Sequence, residues 1–288
     1  MNRSYLFVPA DSERKMKRAA QVGADALILD LEDSVAPAAR PEARELARRF
    51  LEGHDGVWVR INPIDTDDAV ADLEAVVPAA PAGILLPKAR SAADADALAE
   101  RLAGLESANG LEAGSTRIIV LCTERPEALF TLGTYRDATP RLAGLSWGAE
   151  DLGAAVGASA RRDEEGNWLP PYATARSLCL FAAAAAEVAA IDTVYTDFRD
   201  LDGLARFAAN ARRDGFSGML AIHPDQVEVI NRAFVPTAAE VERAERIVAL
   251  FAANPGTGTL GLDGEMIDRP HLVQAERILQ LARRLAAL

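Results

Sequence analysis

Three segments far apart in this chain each set a carboxylate at the end of an apolar run. They are Ala26-Leu27-Ile28-Leu29-Asp30-Leu31-Glu32-Asp33, Ile118-Ile119-Val120-Leu121-Cys122-Thr123-Glu124 and Leu145-Ser146-Trp147-Gly148-Ala149-Glu150-Asp151. A short apolar run closed by an acid reads as a buried parallel strand with the acid at its C-terminal end. Strands of one barrel would bring these acids together on the face where such barrels carry their chemistry. Converging carboxylates repel one another unless a cation holds them. A hard divalent ion with oxygen ligands, Mg²⁺ first, is the simplest resident.

Glu124 and Asp151 are the first choice as metal ligands, because they follow consecutive strand-like runs. The competing reading of each is a helix cap or a surface ion pair. Glu32 and Asp33 need not touch the ion, since Mg²⁺ keeps several waters that outer carboxylates can hold. Arg60 and Asn62 close the run Val57-Trp58-Val59-Arg60-Ile61-Asn62. Residues two apart on a strand point the same way, so both side chains are expected to face the pocket. Arg60 can fork onto a carboxylate or neutralise a developing oxyanion; the alternative is a structural pairing with a nearby acid. Lys88 follows Leu85-Leu86-Pro87, facing either the pocket or solvent. His223, after Ala221-Ile222, reads as a structural hydrogen-bonder sooner than as an acid or base. His54 and His271 show no metal spacing, and no Gly-x-Ser-x-Gly motif occurs.

The elements that must position these residues alternate. Strand-like runs are expected at Tyr5–Val8, Ala26–Asp30, Val57–Ile61, Gly83–Leu86, Arg117–Leu121, Leu142–Ser146, Thr193–Tyr195 and Gly218–Ile222. Helix-like runs lie between them, among them Ser12–Ala20, Pro41–Leu51, Ala92–Ala103, Ala173–Ala190 and Leu204–Arg213. Ser12 is placed to cap the first helix, and Gly23 and Gly215 to end helices. Eight β/α repeats favour a (β/α)₈ TIM barrel. A doubly wound sheet would want a glycine loop after its first strand, where this chain has Pro9-Ala10-Asp11-Ser12. The catalytic domain is therefore set at residues 1–253, including the helical stretches Gln226–Phe234 and Ala238–Ala252. Asn254-Pro255-Gly256-Thr257-Gly258-Thr259-Leu260-Gly261 reads as a mobile linker. Residues 254–288 would be that linker and a lid or arm, ending in a helix that runs to Leu288.

The chain has 288 residues and a net charge of −12, which argues against nonspecific nucleic-acid binding. Two cysteines, Cys122 and Cys179, make no disulfide framework and suit a reducing cytoplasm. The N-terminal apolar run is too short for a signal peptide. The longest apolar stretch, residues 178–186, is far below the roughly 20 residues a bilayer demands. No membrane partner is expected.

Taken in order and spacing, the segments resemble the HpcH/HpaI aldolase–citrate lyase family, and within it stand-alone citrate lyase β-subunit-like proteins. The carriers are Arg3-Ser4-Tyr5-Leu6-Phe7-Val8-Pro9, Asp30-Leu31-Glu32-Asp33-Ser34-Val35, Arg60-Ile61-Asn62, Pro87-Lys88, Thr123-Glu124, Gly148-Ala149-Glu150-Asp151-Leu152 and Ala221-Ile222-His223-Pro224. The resemblance implies Mg²⁺ on Glu124 and Asp151, and Arg60, Lys88, Gly148 and Ala149 at the substrate. It implies cleavage, or the reverse formation, of the carbon–carbon bond between an acyl-thioester enolate and a 2-oxo acid, the substrate being a CoA thioester of citramalyl or malyl type. Asp263-Gly264-Glu265-Met266-Ile267-Asp268 looks like the tail of the citramalyl-CoA and malyl-CoA lyase relatives. There the aspartate matching Asp268 acts from a lid in a neighbouring subunit's site, which implies a homo-oligomer, a trimer or a hexamer. Two features depart from the family's pattern. Arg125-Pro126 follows Glu124 where relatives carry a small residue, and Arg40 stands near the position of a lysine.

The chemistry fits such a residue set. Mg²⁺ would polarise the oxo-acid oxygens, Arg60 would meet oxyanion charge, and Asp268 would exchange a proton with the enolate carbon. Thioester hydrolysis or a malate synthase-like reaction at the same site is the alternative enzyme. An aldolase acting on free hydroxy acids fits less well, since a lid suits a large thioester. A β subunit working only beside an acyl carrier protein is the reading from another class.

Overall fold

The computed structural model describes residues 2–286. The chain opens with β1 (Ser4–Pro9), α1 (Glu13–Ala19), β2 (Ala26–Asp30), α2 (Arg40–Leu51), β3 (Trp58–Arg60), α3 (Asp67–Val76), β4 (Gly83–Leu86) and α4 (Ala92–Ala108). It continues with β5 (Arg117–Leu121), β6 (Leu142–Ser146), α5 (Ala149–Ala155), α6 (Pro170–Ala185), β7 (Ala189–Asp192), α7 (Leu201–Asp214), β8 (Gly218–Ala221) and α8 (Pro224–Ala233). Strands β1 to β8 pair in sequence order, all parallel, and β8 closes on β1 with Ser4 opposite Met219 and Tyr5 opposite Leu220. This is the expected (β/α)₈ barrel. Its strands are apolar on both faces because one face fills the barrel and the other meets the helices.

Alternation along the strands decides what points inward. Tyr5, Ala26, Ile28, Trp58, Leu85, Ile119, Leu121, Ile191 and Leu220 form one buried cluster inside the barrel. Residues two further along point the same way. Phe7 and Pro9 thus continue β1, Asp30 continues β2, and Arg60 continues β3. Capping fixes several of the surrounding helices. Thr66 Oγ1 accepts the Ala69 N–H, Ser91 Oγ that of Ala93, and an Asp200 carboxylate oxygen that of Gly203. Ser12 occupies the N-cap of α1 in extended conformation, but its side chain makes no capping bond.

The structure differs from the sequence reading in several elements. The seventh strand is Ala189–Asp192, not Thr193–Tyr195. Its alanines read as the end of the preceding helix, yet that helix stops at Ala185 and the chain turns through Glu187 at φ 56°. Helices α3 and α5 add to the helical runs named from the sequence. The β5–β6 crossover holds two 3₁₀ helices, Pro126–Phe130 and Leu132–Asp137, where a regular barrel has an α-helix. The glycine-rich stretch after residue 254 runs straight into a hairpin of β9 (Thr259–Leu262) and β10 (Glu265–Asp268). Its two-residue turn is Asp263-Gly264, both at positive φ (50° and 83°), as a type I′ hairpin turn requires.

Two compact units divide the chain, Met1–Asn231 and Arg232–Leu288. The second contains α9 (Ala238–Ala253), the hairpin and α10 (Arg269–Leu285). Its own core is Ala244, Ile247, Phe251, Ile267, Ala275 and Leu279. Helix α9 therefore groups with the tail, whereas the sequence reading drew the boundary at residue 253. The expectation of a last helix to Leu288 falls partly on Ala287 and Leu288, which lie outside the described residues. No helix among the described residues is long and apolar enough to cross a membrane.

Candidate active site

A cavity of about 410 Å³ opens at the C-terminal ends of the strands. Inward-pointing side chains at the strand ends make its walls: Phe7, Asp30, Arg60, Leu121, Thr193 and Leu220. Trp147, Gly148, Ala149 and Asp151, on the turn from β6 into α5, and Glu124, just beyond β5, complete it. The acidic segments meet here because each follows a barrel strand.

Arg60 is the centre of the first half of the site. Its Nε and Nη2 donate to Asp30 Oδ1 and Oδ2, each at 2.7 Å, and its guanidinium lies 4.8 Å from the Phe7 ring centroid. Its Nη1 stands 3.0 Å from Glu32 Oε2 and 3.8 Å from Asp33 Oδ2. Burial disfavours the charge on Asp30, but the two bonds from Arg60 and the N–H groups of Ser34 and Glu32 hold its carboxyl below the ordinary value. Asp30 lines the cavity and holds Arg60, a place that the sequence pattern assigned to Glu32 and Asp33 instead. The signal was present, since Asp30 is two residues after the inward Ile28.

The second half gathers around Lys88. Its ammonium lies 2.6 Å from Glu32 Oε1, 3.2 Å from Asp33 Oδ1 and 3.3 Å from Asp151 Oδ1. Its backbone N–H donates to Glu124 Oε2 at 2.6 Å. Glu124 is 4% exposed. Burial first, and then the charges of Asp151 and Glu32, push its carboxyl up from 4.5 to about 8. Desolvation also raises Glu32, whose buried Oε2 has no hydrogen-bond partner even though Arg60 Nη1 is close. Gly148 leaves room for Glu124, because a Cβ there would come within 2.6 Å of Glu124 Cγ. Ala149 is the first residue of α5 and Asp151 lies in that helix's first turn.

Five carboxylates, Asp30, Glu32, Asp33, Glu124 and Asp151, thus face two cations, Arg60 and Lys88. The surplus of negative charge suits a hard cation. Among the described residues no group of three His, Cys, Asp or Glu makes a full metal cage. Mg²⁺ needs none, since one or two carboxylates with waters and substrate oxygens satisfy it. The donor set therefore fits that ion.

The remaining expected residues have partners of their own. Asn62 is past the end of β3, and its side chain turns to Asp72 Oδ2 (2.8 Å) and the Leu31 carbonyl (3.0 Å), so it braces the scaffold instead of facing the cavity. His223 stacks on Phe198 with ring centroids 4.9 Å apart and lies 3.5 Å from Asp225. Asp268 belongs to the second unit, where it caps α10 with Oδ1 2.6 Å from His271 Nδ1. Arg125 points to Asp65 at 3.6 Å, and Arg40 pairs with Asp68, joining α2 to α3.

Comparison with known proteins agrees with this architecture. The family model described as HpcH/HpaI aldolase/citrate lyase matches residues 3–224. A (3S)-malyl-CoA thioesterase of Cereibacter sphaeroides is 35% identical over 99% of this chain and 96% of its own. A citrate lyase subunit beta-like protein of Mycobacterium tuberculosis is 36% identical over 96% of this chain and 94% of its own. The crystal structure of CitE from M. tuberculosis in complex with magnesium, acetoacetate and coenzyme A superposes with a TM-score of 0.82, at 34% identity, covering 98% of both chains.

Proposed function

The chain belongs to the HpcH/HpaI aldolase/citrate lyase family, and on that premise we propose that it is a magnesium-dependent carbon–carbon lyase. Its substrate is a short 3-hydroxyacyl-CoA of citramalyl-CoA or malyl-CoA type, which it cleaves to an acyl-CoA and a 2-oxo acid or forms in reverse. The observation that carries this reading is the buried Glu124, crowded by Asp151 and Glu32 at the mouth of a barrel cavity that Arg60 also lines. The M. tuberculosis structure with magnesium, acetoacetate and coenzyme A supports the ligand set.

Glu124 and Asp151 hold the metal, which supplies Lewis-acid polarisation of the oxo-acid oxygens when bound. Arg60 Nη1 meets negative charge on the substrate, while Asp30 keeps the guanidinium in place through its other two nitrogens. Phe7, Leu121 and Trp147 give the cavity apolar walls that exclude water from an enolate. In the cleavage direction the 3-hydroxyl passes its proton to the Asp268 carboxylate as the carbon–carbon bond breaks, and Asp268 then returns that proton to the enolate carbon. Asp268 acts from a neighbouring chain, so the working form is a homotrimer, alone or paired into a hexamer. The reaction is placed in the cytoplasm, consistent with two free buried thiols.

A second reading has a specific support, because one relative at 35% identity is named a (3S)-malyl-CoA thioesterase. Incubation with Mg²⁺ and each hydroxyacyl-CoA separates the two. Acyl-CoA and 2-oxo acid with no new free thiol support the lyase; free CoA thiol with the hydroxy acid intact supports hydrolysis. Turnover of neither ester, with an acyl carrier protein co-purifying, supports a subunit of a complex. Glu124→Gln and Asp151→Asn should each abolish metal-dependent turnover with the fold intact. Full activity in either variant, or in excess chelator, removes them as ligands.

A further inference from the structure

Lys88 touches every acid of the second half of the site, by two different routes. Its ammonium reaches Glu32, Asp33 and Asp151, at 2.6, 3.2 and 3.3 Å. Its backbone N–H reaches Glu124 Oε2 at 2.6 Å. The second contact needs an unusual backbone, since Lys88 sits at φ 52°, a region that side-chain-bearing residues seldom adopt. Strained geometry of this kind persists where the surroundings enforce it. In this left-handed turn after Pro87 the N–H reaches Glu124 while the side chain runs back across the other acids.

We propose that Lys88 is a positioning residue that sets how tightly the site holds its divalent cation: its fixed positive charge shares Asp151 with the metal and keeps the metal exchangeable. The inference rests on the reading of Glu124 and Asp151 as ligands. Two like charges drawn to one carboxylate repel, and a partly dry site screens that repulsion weakly. Removing the lysine charge therefore strengthens cation binding, whereas removing a mere scaffold or a substrate contact does not.

The test titrates the full chain with Mn²⁺ by electron paramagnetic resonance of the free ion, with Mg²⁺ by competition, in the absence of substrate. Lys88→Met should bind the cation about tenfold more tightly, and Lys88→Arg within about threefold of the parent chain. Lys88→Gln replaces Lys88→Met if the latter misfolds. Unchanged or weaker binding in the neutral variant overturns the inference. A Glu124→Gln control separates the two failures. Loss of cation binding there, with no change in Lys88→Met, defeats the role of Lys88 alone. Unaltered binding in Glu124→Gln defeats the metal assignment itself.

Discussion

Arg60 commits two of its nitrogens to Asp30 and leaves Nη1 for Glu32 or a substrate oxygen. This division gives it a structural partner and leaves one nitrogen for the substrate role proposed, which the strand-end position alone does not reveal. A lysine keeps the charge but cannot fork onto Asp30. Arg60→Lys should retain its secondary structure by circular dichroism and lose about 100-fold in kcat/KM, the range for one removed oxyanion partner. Unchanged kcat/KM would mean that the Asp30 pairing is the whole role of Arg60.

At the scale of elements, one turn sets where a carboxylate can stand. The β6–α5 turn passes so close to Glu124 that only glycine fits at 148. Gly148→Ala should push the Glu124 side chain aside and weaken Mg²⁺ binding and turnover at least about tenfold, with little change in melting temperature; unaltered metal affinity would show that Glu124 tolerates the displacement. On the far side of the barrel wall, Glu106 of α4 takes two 2.7 Å bonds from Arg141 and accepts the N–H groups of Gly114 and Thr116, which fixes the entry to β5. Burial opposes its charge, but these partners hold its carboxyl down from 4.5 to about 2. The stabilisation is therefore complete above about pH 4.5 and vanishes as pH falls towards 2, on the order of 3 kcal/mol in all. Thermal melts of Glu106→Gln and the parent chain should differ at pH 6 and converge as the pH falls through that interval. A constant gap across it would place the stabilisation elsewhere.

At the scale of the molecule, the proposed proton donor and the proposed metal ligands lie in different compact units, Asp268 in Arg232–Leu288 and the rest in Met1–Asn231. A donor carried on a separate unit can serve a neighbour's barrel. Asp268→Ala and Arg60→Ala chains, each inactive alone, should regain part of the activity when their subunits exchange, because one site then combines an intact Arg60 with an intact Asp268. A mixed oligomer that forms and stays inactive assigns Asp268 to its own chain or to no catalytic role. An active monomer at working concentration, seen by sedimentation, removes the shared site.

The sequence by itself determined the barrel and most of its strands, because an apolar run of four or five residues ending in an acid has few other uses in a soluble α/β chain. It also singled out Glu124, Asp151, Arg60 and Glu32, which needed only a place at a strand end. It misplaced the seventh strand, since Ala189-Ala190 carries no preference strong enough to separate strand from helix until neighbours pair with it. It read Asn62 as a pocket residue by extending alternation past the point where β3 ends. Tertiary structure alone decided that Asp30 is the partner of Arg60, that Lys88 bridges three acids, and that Gly148 clears space for Glu124. Each of these is a contact between residues 24 to 63 positions apart, fixed by barrel closure. A linear pattern records which residues face inward; which of them touch depends on the register of strands that meet only when the barrel closes.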